Sequence, residues 1–135
     1  MKKLFVFLIL IQTYIIFPQE IIIKSLKTFS SKDANSIPVL SSPRDLLTIE
    51  FDVQTEFSPN INIIFKFCDR NWNPTENLFL ANQGKNTAYT LNYFLLPTTV
   101  EEAKYHYTNT YPDKDGYVAF PYSGKWKFFV VDSQD

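Results

Sequence analysis

Hydrophobic and polar residues alternate along much of this chain with a period of two. Leu47, Ile49, Phe51 and Val53 stand against Thr48, Glu50 and Asp52 without a break, the pattern of a strand with one buried face. Ile61, Ile63, Phe65 and Phe67 repeat it, with Asn62 and Lys66 on the other face. A third run, Thr87 to Leu96, places Tyr89, Leu91, Tyr93 and Leu95 together. A fourth, Gly124 to Val131, opposes Trp126, Phe128 and Val130 to Lys125 and Lys127. Ile21 to Phe29 opens uniformly apolar and then alternates. Tyr105, Tyr107, Thr108 and Tyr111 predict a further extended stretch, and Val39-Leu40 a short one.

The intervening segments are rich in residues that break strands. Ser30 to Pro38 is a polar connector. Phe57 to Asn60 and Pro112 to Gly116 are turns, and Leu78 to Asn86 is a loop. Thr98 to Lys104 is the one segment with a helical signal: Thr98 or Thr99 caps it, and Glu101 and Glu102 suit its positive end. Six or seven short strands without a long helix predict an all-β fold, an immunoglobulin-like antiparallel β-sandwich. A late strand entered through Ser123-Gly124 and ending at Asp132 is commonly followed by one more in such a sandwich. The pattern therefore predicts a sheet lacking its last edge strand, to be filled from a longer chain or by a partner.

Composition narrows the class. The 135 residues suit one domain, and 45% hydrophobic with 17% aromatic residues suffice for a core. Thirteen Phe and eight Tyr against one Met favour sheet over helical bundle. The net charge of −1 supplies no broad basic field, so no nucleic-acid partner is expected. Residues 1–19 read as a signal peptide: Lys2 and Lys3 precede the apolar run Leu4 to Ile11. Residues 20–135 then form the sandwich domain, carrying 11 basic against 14 acidic residues, net −3. Export permits disulfides, but Cys68 is the sole cysteine and reads as a small buried hydrophobe.

The residues that usually carry chemistry are sparse. Cys68 and the single histidine, His106, would be a nucleophile and base only if the fold joined them. They are too few for a zinc site. Asp113-Lys114-Asp115-Gly116 has the flavour of a calcium loop, but taking Gly116 as the sixth position puts Tyr111 first and Tyr122 twelfth, so it reads as a turn. No catalytic residue, cofactor, metal or small-molecule substrate is assigned. Trp72 with Tyr105, Tyr107 and Tyr111 is a candidate platform for stacking sugar rings, the basis of an alternative reading as a secreted carbohydrate-binding module. A more distant alternative is a hydrolase fragment whose catalytic part lies beyond Asp135.

The strand leading into Cys68-Asp69-Arg70-Asn71-Trp72-Asn73-Pro74 resembles the HCDADWxPS signature of the type IX secretion system plug protein family of Bacteroidota. Three more landmarks follow in the same order. Asn86-Thr87 precede a strand with Tyr93 and end at Leu96-Pro97, and Ser123-Gly124-Lys125-Trp126 open a strand similar to the family's SGNYLLKVYED. Ile23-Lys24-Ser25 and Pro38 also fit. The resemblance spans about residues 21 to 132 and corresponds to the family's N-terminal domain alone. It departs at Phe67, where the family has His, at Arg70-Asn71 and at Thr75. The resemblance implies a non-enzymatic protein of the periplasm, or of the periplasmic side of the outer membrane, that blocks a translocon mouth. Its partner would be the secretion translocon or another outer-membrane component. The corner of Cys68, Asp69, Arg70, Trp72 and Pro74, and the late-strand residues Ser123, Gly124 and Trp126, carry the signature. The corner reads either as structural, with Asp69 capping a turn and Trp72 covering the end of the core, or as a partner contact.

Overall fold

The computed structural model describes residues 20–30, 33–81 and 86–133. The expected signal peptide, residues 1–19, lies outside them. The first edge strand, β1 (Ile22–Ser30), precedes the two strongest alternations, β2 (Leu47–Gln54) and β3 (Ile61–Cys68). After one helical turn, α1 (Leu78–Ala81), come β4 (Thr87–Ala88), β5 (Tyr93–Leu95), β6 (Tyr105–Tyr111) and β7 (Lys125–Asp132). All pairings are antiparallel. One sheet has the order β1-β2-β6-β5 and the other β4-β3-β7. The chain is thus an all-β sandwich. Its strand order follows the A-B-E-D sheet of an immunoglobulin domain and the C and F strands of the facing sheet. The place beside β7, where that fold carries its last strand, holds none among the described residues.

The core lies where the inward faces meet. Ile49, Phe51 and Val53 of β2 are fully buried, as is Ile63 of β3. Phe51 stacks on Tyr107 of its neighbour β6, with centroids 4.9 Å apart and planes within 4°. Phe65 joins the layers, meeting Tyr111 edge-on at 4.8 Å and Phe120 at 5.4 Å. Burial pushes the Tyr107 hydroxyl up to about 12, and that of Tyr111 further in the same direction. The Tyr111 hydroxyl finds no hydrogen-bond partner among the described residues. An unpaired buried hydroxyl costs about 1–3 kcal/mol. Tyr111→Phe is therefore expected to raise stability by about 1 kcal/mol in urea titrations. A comparable loss would mean that the hydroxyl is bonded.

Four expectations are corrected. Thr87 to Leu96 is two strands in different sheets. Asn109 causes the break: its Oδ1 accepts from the Asn92 amide at 2.8 Å and its Nδ2 donates to the Asn92 carbonyl at 3.3 Å. These bonds draw the chain from one sheet to the other, leaving Tyr89 and Leu95 exposed. Thr98 to Lys104 is not helical. The Leu96 amide donates to Lys104 O and the Lys104 amide to Val53 O, both at 2.9 Å, so its ends continue the sheet. The helical turn sits instead at Leu78–Ala81, within the expected loop, where Asn77 Oδ1 accepts from the Phe79 amide. Val39-Leu40 forms no strand. In β1 the register with β2 shifts between Lys24 and Lys27, at Ser25, whose φ is 54°. That is a bulge in an edge strand.

Candidate functional site

Strand β3 runs straight into the corner that carries the sequence signature. At its end Cys68 is buried, and its thiol donates to Lys66 O at 3.5 Å. The chain then folds back so that Cys68 bridges Pro74 and the Thr75 amide donates to Phe67 O at 2.9 Å. Asp69 holds the fold. Its Oδ1 accepts from the amides of Asn71 (2.8 Å) and Asn73 (2.9 Å), and its Oδ2 from Asn73 Nδ2 (3.3 Å). Its own amide donates to Asn73 O, and Trp72 N donates to Asp69 O. A carboxylate is the residue type that accepts several amides within so short a turn.

The Asn73 amide bond, above all, holds the Asp69 carboxyl below the usual carboxylate range; the Asn71 amide and the Lys125 charge act the same way. A carboxyl lowered on folding contributes stability that is present above its unfolded value, near 3.8, and lost as pH falls through the folded one. The corner should therefore loosen on acidification below about pH 4. Trp72 fluorescence in a Trp126→Phe background reads this directly. Asp69→Asn should flatten the titration, and an unchanged titration would remove Asp69 from its role.

Trp72 is placed by this turn at φ 67° and is 47% exposed. It does not cover the core, because the left-handed backbone turns it outward. The Lys125 ammonium lies over its ring, 4.9 Å from the centroid, and donates to Arg70 O at 2.6 Å. The Arg70 side chain is exposed and forms no ion pair among the described residues.

The late-strand residues meet this corner through Phe67. Trp126 packs edge-on against Phe67 at 5.2 Å, and its Nε1 donates to Tyr122 O at 3.3 Å. Gly124, at φ 155°, faces the same ring so closely that a Cβ there would lie 2.6 Å from it. Ser123 is exposed in the turn before β7. The two signature stretches, distant in sequence, are thus one locality.

Other candidates are dispersed. His106 is on β6, with Nδ1 2.6 Å from Asp52 Oδ1 and its ring against Phe94. Cys68 is on β3 of the opposite sheet, so the two form no pair. The aromatic platform imagined for sugars is not assembled: Tyr105, Tyr107 and Tyr111 are 6%, 2% and 2% exposed and turn into the core, away from Trp72. Asp113 is a turn residue whose Oδ1 accepts from Val118 N at 2.9 Å.

Sequence reading named two residues only as landmarks and missed what they hold. Lys125 looked like an ordinary outward lysine, because its contact with Trp72 joins β7 to the turn that follows β3. Asn86 is only 1% exposed. Its Oδ1 accepts from Ala119 N and its backbone N donates to Tyr117 O, tying the long β6–β7 connection to β4. No protein-family model, no curated protein and no solved structure matches this chain.

Proposed function

We propose that this is a non-enzymatic, exported binding domain that meets a protein partner through its Asp69–Pro74 corner, in the manner implied by the resemblance to secretion-system plugs. Its place is the periplasm or the periplasmic side of the outer membrane, and its action there is steric. The observation that carries the reading is Trp72. A bulky residue in left-handed backbone is unfavourable by about 1–2 kcal/mol. Such a conformation persists where its surroundings impose it, and it clusters at functional positions. Here Asp69 imposes it, and the indole is delivered to solvent instead of to the core. Beside it stands the exposed Arg70. Trp and Arg are the side chains that most often anchor protein interfaces. Holding them in a pre-formed turn lowers the ordering cost of binding.

The test is site-specific photo-crosslinking in a bacterium that possesses the secretion system. A benzophenone amino acid replacing Asn71, beside Trp72, should label an outer-membrane β-barrel protein. The same probe at Ile37, far along the chain and 75% exposed, should not. Arg70→Ala should reduce the label about tenfold, as loss of an interface anchor does. Equal labelling from both positions, or recovery of the chain in the cytoplasm, overturns the proposal.

A further inference from the structure

The outward faces of the two sheets treat their lysines differently. On the first, Lys24 of β1 stands across from Asp52 of β2 and Lys27 across from Glu50, so each cation has a carboxylate opposite it. On the second, Lys66 of β3 stands directly across from Lys127 of β7. Like charges opposite each other in a ladder are destabilising, so folding alone does not favour this pair. Lys125, the next outward residue of β7, extends the row to the corner. There its ammonium donates to the carbonyl of the exposed Arg70 at 2.6 Å. Four of the 11 basic residues in 20–135, a segment of net charge −3, thus stand on one face and its border.

The acidic residues nearby do not offset them. Among the described residues neither Lys66 nor Lys127 forms an ion pair. Asp132 lies at the other end of β7, across from the buried Ile61 and so in the inward row. The Asp69 carboxylate, which feels the Lys125 charge, is already taken up by Asn71 and Asn73. Glu76 is exposed on the returning chain beyond Thr75 and forms no ion pair among the described residues. Two exposed rings border the face, and each lies under an ammonium: Trp72 beneath Lys125 at 4.9 Å, Phe129 beneath Lys66 at 5.4 Å. Rings capped by cations suit a wet, charged protein surface better than the hydrocarbon of a bilayer.

We infer that the partner protein meets this region with an acidic surface, which lies over the outward face of β3 and β7 and sets carboxylates beside Lys66, Lys127, Lys125 and Arg70. The inference rests on the proposed corner contact and extends it. The corner supplies the anchor, and the face supplies orientation and speed of encounter. Carboxylates placed between Lys66 and Lys127 turn their repulsion into attraction. The contact is separate from any strand that pairs with β7, because such a strand lies in the plane of the sheet and widens this face without covering it. A second copy of this chain does not fit, since two such faces joined would set lysine against lysine.

Photo-crosslinking in the same bacterium tests it, with the benzophenone amino acid now replacing Phe129, an aromatic residue that is 39% exposed. The Phe129 probe should label the same protein as the Asn71 probe, on a peptide that mass spectrometry shows to be rich in Asp and Glu. Lys127→Glu, and separately Lys66→Glu, should lower the Phe129 label about tenfold, whereas Lys127→Arg should keep it. Both glutamate variants should melt no earlier than the parent, since each turns a like-charged pair into an opposite one; a loss of label is then not a loss of fold. Label at Asn71 without label at Phe129, a labelled peptide without acidic residues, or a Phe129 label indifferent to both glutamate variants overturns the inference and leaves the corner contact standing. Absence of label at both positions overturns the corner contact and the inference with it. Flotation of the purified chain with phosphatidylglycerol vesicles, abolished by Lys127→Glu, assigns the face to a membrane and overturns the inference as well.

Discussion

Phe51→Ala should lower the unfolding free energy by about 4 kcal/mol, the largest loss expected from any single truncation in this chain. Phe51 is fully buried and lies flat against Tyr107 on the adjacent strand. Its flanking inward residues, Ile49 and Val53, are held in register against Asn109 and Tyr105, so the backbone around it has little freedom to collapse into the void. Removing the ring forfeits its burial, its stacking contact and the packing of everything around the cavity. A domain of this size is stable by only about 5–15 kcal/mol. The variant should therefore melt far earlier than the parent and, in urea, lose much of its folded baseline. A loss below about 2 kcal/mol would mean that the cavity closes and that the β2–β6 layer is not the centre of the core.

Gly124→Ala should cost about 3 kcal/mol although it adds a single methyl group. Its backbone, at φ 155°, is a conformation that side chains resist. The added Cβ would lie 2.6 and 2.7 Å from two carbons of the Phe67 ring. That ring cannot easily swing aside, because Trp126 and Tyr122 pack edge-on against it at 5.2 and 6.1 Å. Combining the change with Phe67→Leu tests the cause. If the clash dominates, the pair should be less destabilised than the sum of the two single variants. Strict additivity in denaturant melts would assign the cost to the backbone alone. Either way, glycine is required at the start of β7 because strand and corner approach each other there.

Much of the fold was legible because β2, β3 and β7 carry long alternations that admit no second reading, and two sheets follow once three such strands must bury one face each. The split between β4 and β5 was not legible. Alternation runs unbroken from Tyr89 to Leu95, and the force that divides it is an inward asparagine seventeen residues later. The missed helical turn has only four residues, too few to print a period. Of the corner, the role of Asp69 could be foreseen, since a carboxylate ahead of Asn71 and Asn73 has amides within reach. The exposure of Trp72 could not. It depends on the sign of one dihedral angle, and the Lys125 ammonium that lies over the ring comes from a strand distant in sequence.

The bulge at Ser25 has a consequence for stoichiometry. A sandwich with two receptive edges grows without limit, since each newcomer offers another end, and the product is a filament. Here the long edge of the first sheet is kinked out of register, so the ladder cannot extend from that side. Growth through both sides is thereby closed off. Even crowded at high concentration, this protein should not grow into fibres through its first sheet.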